Sequence, residues 1–303
     1  MKLTKNKWQW NDWQISWSIF PTSPSEDKEN LLLIHGFGAS SEHWRHNQKV
    51  LGKFYNCYSI DLLGFGQSSQ PIAQLEYERN NNNSVKYCFD LWGEQIFQFC
   101  KDVIKGEVVI VGNSIGGIVS LTSAKLLGSQ CKGLILIDCA QRKMDDKRLK
   151  RNDILMNFLR PLIKTLVSKR FISNSLFDRA ANKKVIKKIL MKAYPSGENI
   201  DDELINILFE PSQRKNSKEA FRGFINLFDD YLATDLFDKI SIPIHLIWGE
   251  NDPWEDLLEA KNWENQYSSI KSLNVVKTAG HCPHDEKPAE TNKIILKILQ
   301  EIK

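Results

Sequence analysis

The 303-residue sequence lacks most features that would sort it at a glance. No stretch approaches the roughly 20 apolar residues that a membrane-spanning helix needs. Its start, MKLTKNKWQWND, carries charges but no apolar segment behind them, so no secretory signal is expected. Neither sign of charge dominates: 41 Lys and Arg face 37 Asp and Glu, a formal +4. That balance is too mild to imply a nucleic-acid partner. The six cysteines (Cys57, Cys88, Cys100, Cys131, Cys139, Cys282) include no C-x-x-C pair, and most lie in apolar surroundings. Free buried thiols in a reducing compartment are expected. The six histidines include no H-x-x-x-H pair enclosing a glutamate. His43 and His46 stand three apart, but no carboxylate or cysteine set completes a site, so no metal is expected. There is no G-x-G-x-x-G after a strand and no Walker loop, and no cofactor is expected.

What is present is a core of useful size. The hydrophobic share is 42%, enough for one large domain or a domain with an insertion. WQW and WQISWSIF alternate on a period of two around Asn11-Asp12, which predicts a hairpin. LLLIHG (31–36), NCYSID (56–61), VVIVG (108–112), GLILID (133–138), PIHLIWG (243–249) and SLNVV (272–276) are continuous apolar runs. Such runs suit strands buried on both faces of a mostly parallel sheet. Helical segments separate them. SIGGIVSLTSAKLLG ends on Gly128 as a C-terminal cap, and the last segment puts Ile294, Ile295, Ile298, Leu299 and Ile302 on one helix face. ERNNNNSVK (78–86) predicts a mobile polar loop. Residues 141–238 hold no convincing strand and read as basic, amphipathic helices. The expected division is a core of 1–140 and 239–303 with an inserted helical cap at 141–238.

One stretch inside this pattern carries chemistry. EVVIVGNSIGGIVSLTSAKLLG (107–128) turns from strand to helix through Gly112-Asn113-Ser114-Ile115-Gly116-Gly117. This is G-x-S-x-G in strand–turn–helix context, the nucleophile elbow of α/β-hydrolases. Gly112 and Gly116 let the strained turn close, and the helix N-terminus behind it favours developing negative charge. A serine hydroxyl needs a base. In this fold the acid and then the histidine follow the serine along the chain. LIWGENDPW places Asp252 just past a late strand, and VVKTAGHCPHDEKP places His281 just past the last. Both are positions at strand C-terminal ends, where open α/β sheets bind ligands. Asp138, just past GLILID, stays open as the alternative acid. In HGFGAS, Phe37 lies between Gly36 and Gly38; its backbone N–H and that of Ile115 are the expected oxyanion donors. His35 and Asp61 read as loop and turn residues, and His284 as structural.

The chain resembles the α/β-hydrolase superfamily over nearly its whole length. The fold this implies is an eight-stranded, mostly parallel sheet with helices on both faces and a helical cap. The elbow serine separates it from haloalkane dehalogenases and epoxide hydrolases, which carry aspartate there. HGFGASSEHWRHN, DLLGFGQS, GNSIGG and AGHCPHDEKPAETN look like the chlorophyll dephytylase and pheophytinase group of plants and cyanobacteria. That resemblance implies hydrolysis of a phytyl ester by Ser114, His281 and Asp252, with no cofactor; some relatives take the acid from the strand preceding Asp138. GNSIGG is also similar to the elbow of the C–C bond (meta-cleavage) hydrolases. A carboxylesterase of another small metabolite and a non-catalytic ligand receptor on the same fold are the remaining alternatives.

The cap residues Phe158, Leu159, Phe171 and Phe177, with Phe221, Phe224, Leu227 and Phe228 further on, are candidates to wall an apolar tunnel for a hydrophobic ester. NKKVIKKILMKAY, basic on one side and apolar on the other, leaves open a peripheral contact with an anionic membrane. The expected location is cytoplasmic, with the thylakoid surface as the membrane in question. No protein partner is inferred.

Overall fold

The computed structural model describes residues 5–78, 83–148 and 154–302, with the backbone alone for 154–158. The hairpin forms as expected: β1 (Asn6–Trp10) and β2 (Trp13–Phe20) pair antiparallel across a turn in which Asn11 adopts a φ of 50°. The buried strands follow, as β3 (Asn30–Ile34) and β4 (Asn56–Ile60). Two short strands, β5 (Ile72–Ala73) and β6 (Ser84–Val85), pair with each other in a separate sheet. The polar stretch 78–86 therefore ends in a strand rather than running as loop throughout; residues 79–82 lie outside those described. The large sheet is completed by β7 (Val108–Asn113), β8 (Cys131–Ile137), β9 (Ile244–Gly249) and β10 (Ile270–Val276).

The eight strands lie in the order β1-β2-β4-β3-β7-β8-β9-β10, and every pairing from β4 to β10 is parallel. The apolar runs are continuous because both faces are covered. Leu32, Ile34, Ile110, Leu134 and Leu246 join one core cluster; the alternate residues Leu31, Leu33, Val109, Val111 and Ile135 join another on the opposite face.

Short α1 (Gln48–Leu51) precedes α2 (Phe89–Phe99), and α3 (Ile115–Leu127) follows β7 directly. Gly128 caps α3 with a φ of 56°, as its position suggested. Among the described residues, five α-helices lie between β8 and β9: α4 (Ile154–Ser168), α5 (Arg170–Ala180), α6 (Lys183–Ala193), α7 (Asp202–Ser212) and α8 (Ser217–Ile225). No strand occurs among the described residues of 141–238. The chain ends with α9 (Leu257–Gln266), the single turn α10 (Pro283–Glu286) and α11 (Pro288–Glu301). Ile295, Ile298 and Leu299 are buried on the expected face of α11, with Ile294 and Ile302 packed at the margin. No helix among the described residues is long and apolar enough to cross a membrane.

The register brings the strand ends level. Ile34 pairs with Gly112, Asn113 with Ile137, Ile137 with Ile247, and Gly249 with Val276. The segments that follow these residues therefore emerge along one edge of the sheet, and all of the candidate site residues lie on them.

Candidate active site

Ser114 is the hinge between β7 and α3, with φ 55° and ψ −122°. A non-glycine residue with that backbone is strained, and the surroundings must hold it there. Three hydrogen bonds do so: Ser114 N–H donates to Ile137 O at 3.0 Å, and Ser114 O accepts from Gly117 N–H at 2.9 Å and Ala140 N–H at 3.1 Å. The glycines are fixed by close approach. A Cβ on Gly112 would overlap the carbonyl of Gly116, and one on Gly116 would meet the carbonyls of Ile34 and His35 at 2.6 and 2.7 Å. Ser114 Oγ has no hydrogen-bond partner among the described residues and is free to act.

His281 Nδ1 lies 2.8 Å from Asp252 Oδ2. Asp252 Oδ1 accepts the backbone N–H groups of Trp254 at 2.8 Å and Glu255 at 3.2 Å, so the carboxylate is oriented by its own loop. Burial pushes the Asp252 carboxyl up, but the hydrogen bond and charge of His281 and the Trp254 N–H outweigh it. The net value lies below the ordinary carboxylate range. The indole of Trp254 packs edge-on to the imidazole, ring centres 4.8 Å apart. The backbone of His281 is clamped on both sides: its N–H donates to Ala193 O at 2.9 Å, and its carbonyl accepts from Asn113 Nδ2 at 3.1 Å.

Asp138 occupies a different place from its rival. It is fully buried at a φ of 42°, and Oδ1 accepts from Gly249 N–H at 2.9 Å. Its side chain is in hydrogen-bonding reach of Asp252, not of His281. Two adjacent carboxylates cannot both be charged out of water. Burial first, and the Asp252 charge second, push the Asp138 carboxyl well up. Its Oδ2 has no donor facing it.

The loop after β3 approaches Ser114 from the other side. A Cβ on Gly36 would lie 3.2 Å from Ser114 Cβ. Phe37 follows, with its N–H bonded to no described residue, and Gly38 turns the chain at a φ of 70°. Ile115 is the first residue of α3, so its N–H has no partner within the helix. His35 is structural: Nε2 accepts from Leu62 N–H at 3.0 Å, Nδ1 donates to Gly36 O at 2.7 Å, and burial keeps the ring neutral. Asp61 accepts from Ser41 N–H and Oγ and from Gln67 N–H, holding a turn. All six cysteines are free, and burial raises the Cys282 thiol far above its ordinary value.

Against the loop after β3 opens a cavity of about 240 Å³. Phe37 and Gly38 form its floor; Phe177, Ala181, Ile186, Leu190, Leu208 and Phe221 from α5 to α8 form its walls and roof. Phe177 and Phe221 lie where the sequence suggested, and Phe224 stacks on Phe37 at 4.1 Å. Phe171 does not line it: it is 83% exposed at the start of α5. Phe228 lies beneath the Arg160 guanidinium instead, and the Phe158 side chain is outside the described residues. Sequence reasoning did not find Asn113, Trp254 or Ala193. Asn113 is the variable position of G-x-S-x-G, and the other two act through packing or the backbone.

A family profile described as "Alpha/beta hydrolase family" matches residues 31–294. The chain belongs to this family. Its relatives include hydrolases of ester, epoxide and C–C substrates and a 1-acylglycerol-3-phosphate O-acyltransferase, all at low identity. Pheophytinase, chloroplastic, of Arabidopsis thaliana is 24% identical over 294 residues, 89% of this chain and 60% of that protein. The chain thus spans less than two thirds of that relative's length. The 2-hydroxy-6-oxo-6-(2'-aminophenyl)hexa-2,4-dienoic acid hydrolase of Metapseudomonas resinovorans is 24% identical over 229 residues, 73% of this chain and 67% of that protein. Among solved structures, the epoxide hydrolase CorEH without ligand superposes with a TM-score of 0.77 at 15% identity, covering all of both chains.

Proposed function

We propose that this hydrolase is a serine esterase acting on a hydrophobic ester, the phytyl ester of a chlorophyll-type pigment being the favoured substrate. One observation carries the reading: the serine at the strained elbow follows Asn113, whose side chain bonds the backbone carbonyl of a histidine that has Nδ1 on a buried carboxylate. With Nδ1 donating to Asp252, Nε2 is the nitrogen left to exchange protons. Ser114 Oγ attacks the ester carbonyl as Nε2 takes its proton. The Phe37 and Ile115 N–H groups receive the oxyanion, each worth about 3 kcal/mol. The alcohol leaves with the proton from His281, and a water activated by the same nitrogen frees the acid from Ser114. Residues 141–238 act as the cap that closes over this site.

The cavity supports an ester with a slender apolar arm. Its lining is almost wholly apolar side chains, which suits an alkyl arm. The polar groups on its wall are Gln70, Ser212 and Ser217, with no cation among the lining residues. A C–C bond hydrolase acting on a carboxylate-bearing metabolite would want one, so that alternative is disfavoured.

The test is incubation of the purified protein with detergent-dispersed chlorophyll a and pheophytin a, with phytol release followed by chromatography. Phytol released by the wild type and not by Ser114→Ala supports both mechanism and substrate. Cleavage of p-nitrophenyl esters without phytol release removes the pigment and leaves the esterase. Failure of Ser114 to label with a fluorophosphonate, in folded protein, favours the non-catalytic receptor.

A further inference from the structure

The hydrolase site uses one side of α6; its other side has no role in that chemistry. Ile186, Leu190 and Ala193 are buried against α7 and the His281 loop. The opposite face carries Lys183, Lys184, Lys187, Lys188 and Lys192, spaced around Met191, which is 63% exposed. The asymmetry is large. Residues 169–192 contain eight Lys and Arg and a single carboxylate, Asp178, in a chain whose whole excess is +4. Lys183 bonds Asn206 and lies over the Phe209 ring. Lys184, Lys187, Lys188 and Lys192 make no ion pair among the described residues. The acids of neighbouring α7 are spent elsewhere or out of reach: Asp201 and Glu203 pair with Arg45, while Asp202 and Glu210 pair with no described lysine.

Five lysines held on one helix face with no counter-charge repel one another and cost stability unless something negative meets them. Ile189, on the edge of this face, is 46% exposed and also lines the apolar cavity. The cavity therefore reaches the surface beside the lysines.

We propose that the solvent face of α6 docks on an anionic lipid surface, with Met191 entering the headgroup region and the lysines meeting the lipid charges. Lysines near such a surface are drawn to its charge, and a helix with this composition lying flat suits the interface. The binding does not depend on turnover.

The experiment is co-sedimentation of the full chain with vesicles of phosphatidylcholine alone or with added phosphatidylglycerol, at low and high salt. The wild type is expected on the anionic vesicles only, and to be released by salt. The triple variant Lys184→Glu, Lys187→Glu, Lys188→Glu should lose at least about tenfold in affinity, while hydrolysing a soluble short-chain ester at the wild-type rate. Met191→Asp tests the apolar contact without removing a lysine, and should also bind more weakly. Equal binding to neutral vesicles, undiminished binding by either folded variant, or binding to heparin but to no vesicle would overturn the proposal. The last result would point instead to a polyanion.

Discussion

Ser114 and Asp138 are both strained, non-glycine residues at the ends of adjacent strands, yet they face opposite duties. Ser114 Oγ bonds nothing, so its removal costs the fold little. Ser114→Ala should leave the unfolding midpoint close to wild type and lower ester turnover by about a thousandfold or more; a retained rate would sink the mechanism. Burial and the neighbouring Asp252 raise the Asp138 carboxyl well above the ordinary carboxylate range, so the folded chain keeps this proton to higher pH than the unfolded chain does. Its folded value is raised, so the stability this proton brings is full in acid and is lost as pH climbs towards that value. Asp138→Asn supplies the same donor to Asp252 and the same acceptor to Gly249 without titrating. Its melting temperature should fall less than that of the wild type as pH rises from the acid range through neutrality, with turnover preserved. Asp138→Ala leaves the buried Gly249 N–H without its partner, at about 1–3 kcal/mol. Parallel melting curves for Asp138→Asn and wild type across pH would mean the buried carboxyl is not protonated. None of this distinction is written in the sequence: Asp138 and Asp252 both follow apolar strands, and only the folded loops place one of them on His281.

At the scale of elements, the segment Gly280 to Glu286 binds the site to the rest of the molecule. Glu286 accepts from Gly280 N–H at 2.6 Å and from Ser196 N–H and Oγ, beyond the end of α6. Asp285, fully buried, accepts from Arg45 Nε at 2.8 Å and Tyr194 OH at 3.0 Å. Tyr194 OH in turn lies 2.8 Å from His43 Nε2, and burial drives the His43 pKa down to about 4. The stretch that most specifically marked the sequence is thus a junction of core, α6 and histidine loop. Its motif was legible, but its purpose was not, because the partners Arg45 and Tyr194 are distant in sequence. The strands were legible for the contrary reason: burial on both faces leaves a continuous apolar run that nothing distant needs to explain. Arg45→Ala would strand the Asp285 charge, at about 3–5 kcal/mol. Denaturant unfolding should register that loss. A change within a few tenths would show that the junction is not held by this pair.

At the scale of the whole molecule, the sheet edge and the helices between β8 and β9 together set what the serine can be offered. Phe37 sits at the meeting point, on the loop beside Ser114 and against the cavity, its ring stacked on Phe224. If its N–H is the oxyanion donor proposed above, an apolar arm that fills the cavity is gripped from the residue that stabilises the reaction. Each buried methylene is worth about 0.8 kcal/mol, or roughly fourfold in kcat/KM. Along a series of p-nitrophenyl esters, kcat/KM should climb by about that factor per carbon and then level off when the chain reaches the Ile189 mouth. Ala181→Phe adds a ring to the wall, so the levelling should come at shorter chains while the acetate is cleaved as by the wild type. The acetate rate separates a filled cavity from a damaged fold. A flat profile in the wild type, or an unmoved break in Ala181→Phe, would place the acyl or alcohol arm outside this cavity. The slender-chain reading of the substrate would then fall, while the serine chemistry would stand.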